Sequence, residues 1–141
     1  TQRSVLKKIA MQYEEKKALS QVRLERAYAC LTDAKNLLDK QGYASAANRA
    51  YYAVFHAMRA VLALDGVDMK HHSGIISEFR RRYIKTGIFD TAYSGIISVL
   101  FDARTSSDYD DYYIIEKALV QRHVSDAEAF LKAVEAYLQT T

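Results

Sequence analysis

The sequence predicts an all-α protein, an antiparallel up-and-down bundle of four to five helices. The 141 residues contain no proline, although average usage of about 5% would give roughly seven. Only five glycines are present, which is few for the turns of a many-stranded β fold. In one segment after another, apolar residues recur three and four positions apart, a spacing typical of amphipathic helices. Short connections between such helices make neighbours antiparallel.

The first two helices are predicted on either side of Gly42. Inward positions of the first are Leu24, Ala27, Leu31, Ala34 and Leu38. The second, over 44–64, directs inward Ala47, Ala50, Val54, Ala57, Val61 and Leu64. Gly42, Gly66 and Gly87 each follow a helical pattern, so we expect all three to be left-handed C-cap residues.

Three further helices follow the same logic. Ser73 is the expected N-cap of the third, which buries Ile76, Phe79 and Tyr83. The fourth, over 90–104, turns inward Ala92, Ile96, Leu100 and Ala103. The fifth carries the most regular pattern, at Val120, Val124, Ala127, Leu131, Val134 and Leu138. A capping box at 125–128 allows a break in this helix near Ser125.

Composition limits the classes of function. The net charge of +3 is too small an excess to identify a nucleic-acid binder. No stretch approaches ~18 apolar residues, so no membrane span is expected. The single cysteine, Cys30, is expected to be a buried thiol, and with no secretory leader pattern it favours a cytoplasmic location. Residues 1–21 are predicted to be an N-terminal helical extension, and 22–141 the bundle domain.

A polar stripe on the second helix is the first candidate site. Arg49, Tyr52, His56 and Arg59 recur at helical spacing, on the face opposite the apolar positions. Two interpretations stay open, a solvated face and an interface or ligand cleft. Neighbouring aromatic residues Tyr51 and Phe55 favour the second, and a dimer would cover this aromatic-rich face.

The other candidates are a basic segment and a polar junction. Residues 70–85 are rich in Lys, Arg and His, which suits either a phosphate backbone or an exposed helix. No Glu-x-x-His occurs, so a di-metal carboxylate bundle is excluded, and we expect no metal or cofactor. At the end of the fourth helix, Arg104 is followed by the Asp- and Tyr-rich segment 108–113. Asp108 stands four residues on, where it could pair with Arg104.

Four segments together resemble small bacterial and archaeal HEPN-domain proteins. They are ANRAYYAVFHA at 47–57, KHHSGII at 70–76, KTG at 85–87, and Arg104 followed by Asp108 and Tyr109. The resemblance covers about residues 22–138 and implies a helical bundle that forms a two-fold dimer. It also implies nucleotide or RNA binding, and many such proteins are toxin partners of a minimal nucleotidyltransferase antitoxin.

Catalytic members of that family are metal-independent endoribonucleases. Their signature is an arginine near the end of the fourth helix, with a histidine after four to six intervening residues. Arg104 matches the arginine, but Tyr109, Asp110 and Asp111 stand where the histidine belongs. An Arg-x6-His spacing does occur at Arg49 and His56, but on the second helix, outside the family's motif.

These observations define two overlapping sets of candidate residues. The substitute catalytic set is Arg104, Asp108 and His56, and the nucleotide- or RNA-binding set is Arg49, Tyr52, His56, Arg104 and Tyr109. Three hypotheses follow: a dimeric nucleotide- or RNA-binding domain of a toxin–antitoxin system, a metal-independent ribonuclease toxin, and a structural helical adaptor. The first is favoured because the aromatic and basic stripe of the second helix, together with Arg104, supports ligand binding, while the missing histidine argues against ribonuclease activity.

Overall fold

The predicted bundle is confirmed in the computed structural model, which describes residues 1–109 and 114–141, without the side chains of 107–109. Its helices are α1 (Gln2–Asp39), α2 (Tyr43–Ala63), α3 (His72–Phe79), α4 (Ala92–Tyr109) and α5 (Lys117–Leu138), and a π-helical turn over Arg80–Ile84 extends α3. Over the described ranges there is no β-strand. None of the described helices is long and apolar enough to cross a membrane.

Helix α2 lies at the centre of the bundle, in contact with α1, α3, α4 and α5. Nearly every side chain from Ala46 to Ala63 is buried, including the predicted inward positions through Val61. Many of these residues are alanines, and small side chains allow helices to approach closely on several sides. The exceptions include Arg49, Tyr52, His56 and Arg59, which are half-buried and share one side of the helix.

Helix α1 runs unbroken from the extension into the bundle. Its positions Leu24, Ala27, Leu31 and Ala34 are buried as predicted, whereas residues 1–19 are exposed throughout. The thiol of Cys30 is buried, which raises its pKa. Because the predicted extension is the first part of α1, the packed part of the same helix sets its direction.

Two expected helix ends differ in the structure. The N-cap of α3 is His71 rather than Ser73, although Ile76, Phe79 and Tyr83 are buried as expected. Gly66 and Gly87 have positive φ angles, of 70° and 82°, as predicted. Gly42 does not: Gln41 takes the left-handed position with a φ of 64°, and Gly42 becomes the N-cap of α2.

In α4 and α5 the structure also differs from the predicted buried positions and helix ends. In α4, Ile97 is buried beside Leu100 and Ala103, while the predicted Ala92 is exposed. This helix continues to Tyr109, so Arg104 lies within it and not at its end. Helix α5 has no break at Ser125, because Val124 and Ala127 on either side are buried against the bundle.

The close packing of α2 predicts a large cost for enlarging its side chains. Ala57→Leu should lower the free energy of unfolding by about 1–3 kcal/mol, since the fully buried methyl group has no space beside it. The matched control is Ala29→Leu at an exposed position of α1, which should change it by less than about 0.5 kcal/mol. Chemical denaturation measures both. Equal effects of the two variants would contradict the central position of α2.

Candidate functional site

The core of the candidate site is a contact between α2 and α4. Arg104 Nη2 donates a hydrogen bond to the Tyr52 hydroxyl at 2.9 Å. The same guanidinium lies over two rings, 5.9 Å from the Tyr51 centroid and 5.6 Å from the Tyr52 centroid. Cation–π contacts of this kind hold a guanidinium in place without neutralising its charge.

A second arginine approaches the same tyrosine. The Arg49 guanidinium lies 5.0 Å from the centroid of the Tyr52 ring, and its Nη2 donates to Asn48 Oδ1 at 3.0 Å. Arg49 and Arg104 therefore reach Tyr52 from two different helices. The structure thus brings together three of the residues predicted for binding, and their arrangement concentrates positive charge on an aromatic surface.

The aromatic surface continues to His72 at the start of α3. Its ring stacks on Phe55 with centroids 4.1 Å apart, and its Nδ1 shares a 2.8 Å hydrogen bond with the Tyr51 hydroxyl. Burial, followed by the charges of Arg104 and Arg59, lowers the pKa of His72. The sequence places His72 in the basic segment 70–85, but it could not predict these contacts, since spacing along one helix cannot show contacts between two.

Two of the aromatic side chains are covered by the chain itself. Tyr51 and Phe55 are buried, which removes the expected need for a partner over an exposed aromatic face. Burial also raises the pKa of Tyr51. The ring stays neutral at physiological pH and serves as a rigid support for Arg104 and His72.

His56 lies next to this cluster, with its ring centroid 6.2 Å from that of Tyr52. Burial, then the charges of Arg26, Arg59, Arg49 and His72, lowers its pKa to about 4. Its Nδ1 is buried and has no hydrogen-bond partner in the described part of the chain. A group with so low a pKa is a weak general base at neutral pH, so its place suits packing and binding better than proton transfer.

The remaining predicted residues follow Arg104 along the chain. The side chains of Asp108 and Tyr109 lie outside the described residues, as does the predicted pair between Arg104 and Asp108. Because α4 continues past Arg104, this cation does not lie in the last turn, where the helix dipole would favour it. Among the contacts that the described residues make with Arg104 are those of Tyr52 and Tyr51.

Three arginines of the basic segment 70–85 contact neighbouring side chains. Arg81 and Arg82 both bind Glu78, at 2.7 and 2.8 Å, and Arg80 donates to Ser98 Oγ of α4 at 2.6 Å. These three arginines therefore stabilise the turn that joins α3 to α4.

Within the described residues, no three His, Cys, Asp or Glu side chains are arranged to hold a metal ion.

The low pKa of His56 predicts acid sensitivity. Between its unfolded pKa of about 6.5 and its folded pKa of about 4, the unfolded chain binds a proton that the folded chain does not. The free energy of unfolding should therefore fall as the pH decreases through this window. Lowered pKa values of His72 and His123 act in the same direction.

The contribution of His56 can be isolated with His56→Gln. Thermal melts from pH 7.5 to 4 should show a smaller loss of stability for this variant than for the wild type. His71→Gln, at an exposed position, is the matched control and should keep the wild-type profile. Parallel profiles for all three proteins would contradict the assignment.

The sequence was also compared with known proteins. The HEPN domain family matches residues 20–137. A UPF0332 protein of Thermotoga maritima is 34% identical over 89% of this chain and 95% of its own length. A UPF0332 protein of Archaeoglobus fulgidus is 34% identical over 79% of this chain and 89% of its own length. A Methanocaldococcus jannaschii protein described as a "putative toxin" is 29% identical, over 82% of this chain and 78% of its own. Taken with the helical bundle, these matches show that the chain belongs to the HEPN domain family.

Proposed function

We propose that this protein is the toxin-like component of a toxin–antitoxin system and binds nucleotide or RNA phosphate between α2 and α4. One observation carries the proposal: Arg49 and Arg104, from different helices, converge on the ring of Tyr52. Guanidinium groups present a planar set of donors that match phosphate oxygens, and they remain charged at every physiological pH. Two such groups on an aromatic support suit a ligand that has both phosphate and base.

The toxin-like role rests on the relatives. Two Methanocaldococcus jannaschii proteins, each 29% identical to this chain, carry the description "putative toxin". The partner implied by the family resemblance is a minimal nucleotidyltransferase that acts as antitoxin. Co-expression with the neighbouring reading frame, followed by purification of a stable complex, tests that partnership.

Binding at this site requires the guanidinium of Arg104. Arg104→Ala should weaken the binding of RNA oligonucleotides about tenfold or more, since a hydrogen bond to a charged group contributes about 1.5–3 kcal/mol. Arg104→Lys keeps the charge but loses the planar donors, so a smaller weakening is expected. Fluorescence titration with labelled oligonucleotides and with nucleotides measures both variants.

The matched control is Arg122→Ala, which removes an equal charge from an exposed position on α5. Unchanged affinity in Arg104→Ala would exclude this site and favour the structural adaptor. Incubation of the same RNA in EDTA tests the ribonuclease hypothesis. If the wild type cleaves the RNA and Arg104→Ala does not, the protein is a ribonuclease despite the low pKa of His56.

We also propose a homodimer, in which residues 1–21 serve assembly and the bundle carries the site. Val5, Leu6, Ile9 and Tyr13 are exposed on one side of α1, in line with the buried positions Ala27 and Leu31 of the same helix. Contiguous exposed apolar side chains are typical of association surfaces. A second copy of this helix would bury them.

Light scattering should therefore give about twice the chain mass of 16.0 kDa at micromolar concentration. Ile9→Glu should shift the protein towards monomer. Met11→Glu is a matched control, because both side chains are 55% exposed but lie on different sides of α1. A monomeric wild type would contradict the dimer, and equal effects of the two variants would place the interface elsewhere.

A further inference from the structure

We propose that a cavity beside Arg59 is a second phosphate site for RNA. Without RNA, the carboxylate of Asp68 pairs with the arginines of this site, and the phosphate of an RNA strand displaces it. This inference rests on the proposed function, since it extends the same surface. The ligand would be a single strand of several nucleotides rather than one nucleotide.

The cavity lies between α2 and the segment that leads into α3. It has a volume of about 470 Å³ and is lined by Phe55, Arg59, Asp68, Met69, Lys70 and His72. Arg59, Lys70 and His72 supply N–H donors, while Asp68 is the one acid among these lining residues. The lining is therefore mainly cationic and aromatic, which suits a phosphate flanked by bases.

Two arginines share the single carboxylate of Asp68. Arg59 Nη2 lies 3.3 Å from Asp68 Oδ1, and Arg23 Nη2 of α1 lies 3.5 Å from Oδ2. Both distances exceed the ~2.7–2.9 Å of a strong charge-assisted hydrogen bond. Asp68 is 65% exposed, so water competes for its oxygens and a stronger anion can replace it.

Arg23 adds buried positive charge behind the cavity. Its side chain is only 7% exposed, and Nη1 donates to the backbone carbonyl of Arg59 at 3.2 Å. Burial, then the charge of Arg59, lowers the pKa of Arg23, and Asp68 only partly opposes these effects. One carboxylate therefore leaves the pair of arginines with an excess of positive charge.

The cavity adjoins the site at Tyr52, because its lining residues Phe55 and His72 both contact the Tyr52 ring. His72 lies between the two: its ring centroid is 5.7 Å from that of Tyr52, and it stacks on Phe55, over which Arg59 lies at 5.9 Å. Arg49 and Arg59 are ten residues apart on α2, about 15 Å along the axis at 1.5 Å per residue. At about 3.4 Å per stacked nucleotide, this distance corresponds to roughly four nucleotides.

The test compares RNA length with the variants. Wild-type affinity should rise from a dinucleotide to a hexanucleotide because only the longer strand reaches the cavity. Arg59→Ala should weaken hexanucleotide binding about fivefold and leave dinucleotide binding unchanged. In Arg59→Ala, the slope of log K for hexanucleotide binding against log salt concentration should also become less steep, by about 0.7 for each phosphate contact that is lost. The hydrogen bond from Arg23 survives in this variant, because the backbone of Arg59 accepts it.

Two more variants sharpen the result. Asp68→Asn removes the competing anion and should strengthen hexanucleotide binding about threefold. Arg81→Ala is the matched control, since it removes an equal charge from a side chain that pairs with Glu78 outside the cavity. Thermal melts establish that each variant folds. If Asp68→Asn does not fold, Arg59→Ala against Arg81→Ala decides alone.

The outcomes separate this inference from the proposed function. Failure of the wild type to bind any RNA would contradict both. Binding that needs Arg104, but does not change in Arg59→Ala or respond to RNA length, would overturn only the second site. Equal weakening by Arg59→Ala and Arg81→Ala would show a general effect of charge and would also overturn it.

Discussion

The burial of α2 is the constraint on which the rest of this structure depends. Four other helices contact it, so almost every one of its faces is closed by packing. The half-buried residues Arg49, Tyr52, His56 and Arg59 lie along the side that remains accessible. A cation on the central helix of a bundle needs a stabilising environment. Here aromatic rings lie against both Arg49 and Arg59, and Asp68 also pairs with Arg59.

Much of the fold could be predicted because helical periodicity is a local property. The inward residues of α1, α2 and α5 follow from spacing alone, and most of them are buried. Helix ends were less predictable, since they depend on a few backbone angles. Gln41 takes the left-handed conformation beside a glycine that is free to adopt it. In α4, Ile97 is buried although a three- and four-residue spacing selected Ile96, because neighbouring helices set the buried face.

The candidate site was predictable in part for the same reason. Arg49, Tyr52 and His56 share a helix, so their spacing placed them together. Arg104 was selected from the polar junction at the end of the fourth helix and from the family resemblance, but its contact with Tyr52 joins residues far apart in sequence. His72 and Asp68 were missed as site residues because their roles come from tertiary contacts with Phe55, Arg59 and Arg23. No periodicity within one segment can reveal such contacts.

The surroundings of the two histidines explain why we propose binding rather than proton transfer. Burial is the main cause that lowers the pKa of His56 and His72, and the charges of Arg26, Arg59 and Arg49 at His56, and of Arg104 and Arg59 at His72, act in the same direction. Both rings are therefore neutral at pH 7, although they lie among permanent cations. A phosphate would compensate those cations directly and would raise the pKa of both histidines as it bound. The surface therefore suits the proposed phosphate ligand, and each histidine is an aromatic neighbour of the arginines that we propose to bind it.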